Sequence, residues 1–246
     1  MDSKKLKFLF ITPLLLILST SYANWDNSPE DSLLNALQNV KTDHERASTQ
    51  LELAIFHLEK RKANKALQYA DDAEKIAKNL DDPELLANVL YRKGEAYCGV
   101  DKGLEAIDYF NEALQVKNGL DAVGQLSVYN MMGITYLVFD EGAKGIEYFD
   151  HALTLQDAAN EISGTTYEFI YNNKGITYSA MGMLDSAMAN HNYCLNIRLK
   201  AKDLYGIGQS YNNLGTAFFE AEVYDSALVY FEWGLFYRNR MESPPL

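Results

Sequence analysis

The chain has 246 residues, 48% hydrophobic and 23% charged, a balance that excludes disordered and fibrous classes. Its formal net charge of −12 repels phosphate backbones and anionic membrane surfaces, so nucleic acid is excluded as the main partner. Two cysteines cannot build a disulfide framework or a structural zinc site.

The first element in chain order is an export signal. Lys4, Lys5 and Lys7 precede an apolar run from Phe8 to Leu18, and Ser21 and Ala23 supply the small residues that a signal peptidase reads. A helix of that run would rise only about 16 Å, against a hydrocarbon core of roughly 30 Å. Residues 1–23 therefore read as a secretory signal peptide cleaved after Ala23, not as an anchor. Losing it leaves 19 basic against 33 acidic side chains, a net charge of −14. The mature protein is expected to be periplasmic or extracellular. No later stretch reaches 18 apolar residues, so no membrane span is expected in the mature chain.

Residues 24–42 read as a linker and a leading helix over 30–41 that caps a helical stack. A repeat then begins. VLYRKGEAY, VYNMMGITY, IYNNKGITY and SYNNLGTAF align on Gly94, Gly133, Gly175 and Gly215. Twelve residues after each glycine stands a small residue (Ala106, Gly145, Ala187, Ala227), and seven further on another (Ala113, Ala152, Cys194, Gly234). Ala54, Ala66 and Ala73 form a fainter first copy at the same offsets. Apolar residues recur at three and four in both halves of each copy, which predicts paired amphipathic helices. The pairs fall near 43–60 and 63–79, 84–99 and 103–117, 121–139 and 142–156, 162–181 and 184–200, and 204–221 and 224–240. The spacing implies that the small residues let paired axes approach closely. Aromatics fill the space around them, three after the glycine (Tyr97, Tyr136, Tyr178, Phe218) and four after the second-helix small residue (Phe110, Phe149, Phe231). Gly99, Gly103, Gly142 and Gly182 read as breakers between helices.

This small–aromatic–small pattern resembles the tetratricopeptide repeat (TPR), in a long form of about 40 residues with a Tyr-Asn-Asn-x-Gly core. Tyrosine stands for tryptophan in three copies, and the closing proline is absent from all five. The resemblance implies an all-α fold: a right-handed superhelical α-solenoid of about five helix-turn-helix repeats over 43–240, near 43–80, 84–118, 121–157, 162–201 and 204–240, with a tail at 241–246. It also implies a concave groove lined by the first helices.

Nothing in the sequence supports catalysis, a cofactor or a metal. His57 and His191 occupy aromatic positions of the repeat, and His44-Glu45 lacks the second histidine of a zinc-protease helix. Asp71-Asp72 and Asp81-Asp82 lack the alternating ligands of a calcium loop and read as solvated helix ends and caps. Cys98 and Cys194 lie two repeats apart, too far for a disulfide, and are expected to stay reduced; a bond between two molecules through Cys98 is the alternative.

The asparagines carry the functional reading. Asn130, Asn172 and Asn212 recur three before the glycine, and Asn173 and Asn213 two before it, although asparagine is a mediocre helix former. An amide offers donor and acceptor together and suits the backbone of an extended peptide. With Tyr91, Ile134, Phe169, Ile176, Gln209, Thr216 and Phe219 they form the candidate partner-binding groove. The competing reading is a ladder of amides that joins neighbouring helices and binds nothing. Leu51, Ile55 and Met131 stand where chaperone-docking relatives hold a terminal carboxylate, so that clamp is missing. The expected function is non-enzymatic binding of a peptide or protein segment, with self-association open. The alternative is the sensory region of a bacterial signalling protein, a histidine kinase, cyclase or transcriptional regulator.

Overall fold

The computed structural model describes residues 28–155 and 164–242. The expected signal peptide, the expected junction of the third and fourth repeats at 156–163 and the last four residues of the tail lie outside the described residues. Among those described, every regular element is a helix. Leading helix α1 (Pro29–Asn39) precedes five pairs: α2 (Asp43–Glu59) with α3 (Ala63–Ala77), α4 (Pro83–Gly99) with α5 (Gly103–Gln115), α6 (Ala122–Val138) with α7 (Gly142–Thr154), α8 (Gly164–Ala180) with α9 (Leu184–Ala201), and α10 (Leu204–Glu220) with α11 (Tyr224–Glu242).

Local chemistry sets the helix starts. Thr42 and Glu45 form a reciprocal capping box on α2. The Asp82 carboxylate accepts from the Leu85 N–H at 2.9 Å and from His44 Nε2 at 2.8 Å, and Asp203 accepts from the Gly206 N–H at 3.0 Å. The turns inside the five pairs share one device, a left-handed residue two before the second helix: Arg61, Asp101, Asp140, Gly182 and Glu222. Only Gly182 escapes the steric cost of that conformation. The other expected breakers stand at the helix ends that flank the turns. Gly99 closes α4, and Gly103 and Gly142 open α5 and α7. A Cβ on Gly99 would meet the Ala63 methyl at 2.6 Å, so Gly99 serves a close approach.

The small residues lie at the helix contacts, with a refinement in what fills the space. A Cβ on Gly94 would fall 2.5 Å from the Phe110 ring, on Gly175 2.6 Å from the His191 ring, and on Gly215 2.7 Å from the Phe231 ring. The first-helix glycine thus makes room for the ring four after the small residue, rather than for that residue itself. A second ring pair recurs beside it. Tyr97 stacks on Tyr109 at 5.1 Å, Tyr136 on Tyr148 at 5.2 Å and Phe218 on Tyr230 at 5.1 Å. His57 takes the same place on Tyr69 at 5.4 Å.

The chain divides into two compact units, one reaching Thr135 and one beginning at Tyr136. In the first, α2 packs on α1, α3 and α4, and α4 on α3 and α5; in the second, α8 packs on α7, α9 and α10, and α10 on α9 and α11. Among the described residues no helix is long and apolar enough to cross a membrane.

Candidate functional site

The first helices carry the candidate residues, and the two units present them differently. In the first unit Tyr91 on α4 and Asn130 and Ile134 on α6 are all buried, with 6%, 2% and 6% of their surface exposed. In the second unit Asn172 and Asn173 on α8 are buried, while Phe169 and Ile176 stay partly open. Gln209, Asn212 and Asn213 on α10 are partly open, and Thr216 and Phe219 are exposed. The open candidates therefore concentrate on α10.

The amides make specific contacts within the helix stack. Asn213 Nδ2 donates to Asn172 Oδ1 at 2.7 Å, joining α10 to α8. Asn212 Oδ1 occupies the space where a Cβ on Gly234 would stand, so the glycine admits the amide against α11. Thr216 Oγ1 donates to the Asn212 carbonyl oxygen at 3.0 Å. An amide has two N–H groups and a carbonyl oxygen, more than the one bond between Asn213 and Asn172 uses.

Two buried ionic clusters, which the sequence pattern does not reveal, brace these helices. In the first unit Lys93 Nζ reaches Asp71 at 2.6 Å and Glu74 at 2.5 Å, beneath Lys78 on Glu74 at 2.6 Å. Burial opposes the Glu74 charge, but the two lysines outweigh it and hold the carboxyl below its usual range. In the second unit Arg198 pairs with Glu168 and donates to the Gly206 carbonyl oxygen and to Ser210 Oγ, both at 2.9 Å. That cluster links α8, α9 and α10. A lysine among acidic residues and a lone Arg198 give no motif; only pairing across helices reveals them.

Both core histidines lie inside the packing. Neither ring nitrogen of His57 or His191 has a hydrogen-bond partner among the described residues. Burial, then the Arg198 charge, pushes His191 down to about 4. Cys98 and Cys194 are free and buried, and burial pushes both thiols up to about 12. Thr135 gives its hydroxyl hydrogen to the Met131 carbonyl oxygen at 2.7 Å, so its oxygen accepts from the Cys98 thiol at 3.1 Å. Neither sulfur is poised to react. Among the described residues no three acidic, histidine or cysteine side chains are grouped to hold a metal ion.

No protein-family profile and no curated protein sequence matches the chain. Solved structures do. The crystal structure of BtubC (BKLC) from P. vanneervenii matches with a TM-score of 0.73 at 18% identity, over 89% of this chain and 95% of that one. MamA matches with a TM-score of 0.55 at 18% identity, over 81% of this chain and 96% of that one. A Rap protein complexed with Competence and Sporulation Factor matches at 0.67 and 14%, over 87% of this chain and 59% of that one. The chain is thus similar to TPR-like repeat proteins, and its fold is their all-α solenoid.

Proposed function

We propose that the chain is a non-enzymatic interaction module that holds an extended peptide or protein segment on the first helices of its second unit. The observation that carries this reading is the open stripe of α10, where Gln209, Asn212, Thr216 and Phe219 combine amide, hydroxyl and aromatic groups on one helix. Amides and a hydroxyl can pair a peptide's N–H and C=O groups, and Phe219, 53% exposed, offers an apolar anchor. The similar fold of a Rap protein complexed with a named factor supports a solenoid of this kind serving as a receptor. Asn172 and Asn213 act here by fixing α10 against α8, so the ladder and the groove divide the amides between them. The setting is proposed to be extracytoplasmic, on the charged start, short apolar run and small-residue exit of residues 1–23.

Panning a phage-displayed random peptide library on the chain tests the reading. Enriched peptides should lose about ten- to a hundredfold in affinity for a Phe219→Ala, Asn212→Ala double variant, since each lost contact is worth about 0.5–1.5 kcal/mol and 1.4 kcal/mol is tenfold. Peptides that bind the folded double variant as well as the parent would remove the site from α10.

A further inference from the structure

The last helix carries an apolar stripe at positions that are polar in three of its four counterparts and mixed in the fourth. In repeat register, Val229, Trp233 and Phe236 of α11 align with Gln68, Asp72 and Lys75, with Asp108, Glu112 and Gln115, with Glu147, His151 and Thr154, and with Ala189, Tyr193 and Asn196. Those positions are exposed in every repeat, and only the middle one meets a described helix, as Tyr193 on Tyr171 and Trp233 on Tyr211. The apolar character on α11 is therefore not a seam left over from the repeat pattern. Val229, Trp233 and Phe236 are 50%, 46% and 46% exposed. Together they present on the order of 300 Å² of apolar surface, the size at which a surface patch is often functional.

The charges on the same stripe select the occupant. Asp225, Val229, Trp233, Phe236 and Arg240 recur at four, four, three and four residues and so share one side of the helix. Asp225 and Arg240 are exposed at the two ends, and the Arg240 guanidinium lies over the Phe236 ring at 5.4 Å. The stripe is self-complementary about its middle. We propose that α11 is a homodimerisation surface on which a second copy of this chain packs its own α11 antiparallel, about a two-fold axis between Glu232 and Trp233. Val229 then meets Phe236 of the second copy, and Asp225 meets Arg240 of the second copy, each twice. A two-fold interface demands this kind of self-matching patch, with the acidic end of one helix on the basic end of the other.

Sedimentation velocity on the full-length chain tests the proposal, with circular dichroism checking that each variant remains helical. The parent should sediment as a dimer, and Trp233→Glu should sediment as a monomer. Asp225→Arg and Arg240→Asp should each weaken the dimer by roughly threefold to tenfold, the range for two exposed ion pairs lost and made repulsive. The double reversal Asp225→Arg with Arg240→Asp should restore it. A parent that stays monomeric to its solubility limit overturns the proposal, as does a dimer that survives Trp233→Glu. A double reversal no tighter than the single ones overturns the antiparallel register. The charge reversals sit on exposed positions, so they decide the matter even where Trp233→Glu disturbs folding.

Discussion

The unit ending at Thr135 and the unit beginning at Tyr136 follow the same repeat, yet they treat its polar positions differently. In the first, the candidate groove residues Tyr91, Asn130 and Ile134 are buried, and the ionic cluster is part-hydrated, since Asp71 is 40% exposed and Lys78 55% exposed. In the second, Arg198 and Glu168 are as dry as Lys93 and Glu74, at 7% and 10% in each pair, but their further partners Gly206 and Ser210 are buried too, and the open polar residues stand on the same helix, α10. A dry cluster bonded across three helices fixes the helix that carries the exposed groups. The difference places the buried partners of the cluster and the open polar residues together in the second unit.

Cutting each cluster in turn puts the heaviest load on that contrast. Arg198→Met leaves the Glu168 carboxylate buried and removes the donor to Gly206 and Ser210, which should cost about 3–5 kcal/mol. Lys93→Met leaves Glu74 with Lys78 and lets Asp71 rehydrate, so its cost should be about 1–2 kcal/mol. Urea unfolding of the two variants measures both. Equal losses would mean that the exposed Asp71 and Lys78 do not soften the first cluster.

Acid should act on both buried histidines, since burial lowers His57 in the first unit and His191 in the second. His191 sits at about 4 when folded and near 6.5 when unfolded, so the unfolded chain takes up the proton first. The stability present above pH 6.5 is therefore lost as pH falls toward 4, by about 3 kcal/mol at 1.36 kcal/mol per unit. His191→Phe matches the ring at Phe110, Phe149 and Phe231 and should flatten that slope in melts between pH 7 and 4. A slope unchanged in the phenylalanine variant would assign the acid sensitivity to another group.

The amide link is a smaller effect. Asn213→Ala removes the bond to Asn172 and should cost about 1 kcal/mol of stability, with alanine's better helix propensity recovering part of it. A melting temperature at or above the parent's would show that the pair does not join α8 to α10.

Much of this architecture is legible in the sequence, for a physical reason. Helix contacts demand small residues at fixed offsets, so Gly94, Ala106 and Ala113 and their equivalents mark every pair to within about two residues of the observed ends. The turns are not legible in that way. Their left-handed residue is glycine only at Gly182, while Arg61, Asp101, Asp140 and Glu222 bear the strain without a signature. The amides are legible as a set but not in their roles, because the rotation of one first helix against the next decides whether an amide faces a neighbour or solvent. Asn172 and Thr216 lie on the same face by periodicity, and one is buried and the other exposed.

The stacked ring pair offers the finest test of likeness between the units. Both complete repeats of the first unit have it, as His57 on Tyr69 and Tyr97 on Tyr109. In the second unit it stands at Tyr136 on Tyr148 and Phe218 on Tyr230, but the pair of α8 and α9 sets Tyr178 against Asn190 in register. Asn190 is half-buried, and its Nδ2 donates to the Ser186 carbonyl oxygen at 2.7 Å. That bond turns the amide back on its own helix and leaves no ring for Tyr178 to stack on. Asn190→Tyr should place a second ring there and return the backbone carbonyl to its ordinary helical bonding. An aromatic pair adds about 0.5–1.5 kcal/mol beyond its buried area, so the variant should melt a few degrees above the parent. A Tyr178→Ala, Asn190→Tyr double variant should lose the gain, because the added ring would have nothing to stack on. Should the double variant keep it, the stabilisation would come from helix propensity and burial alone, and the stack would be a consequence of the helix spacing rather than one of its causes.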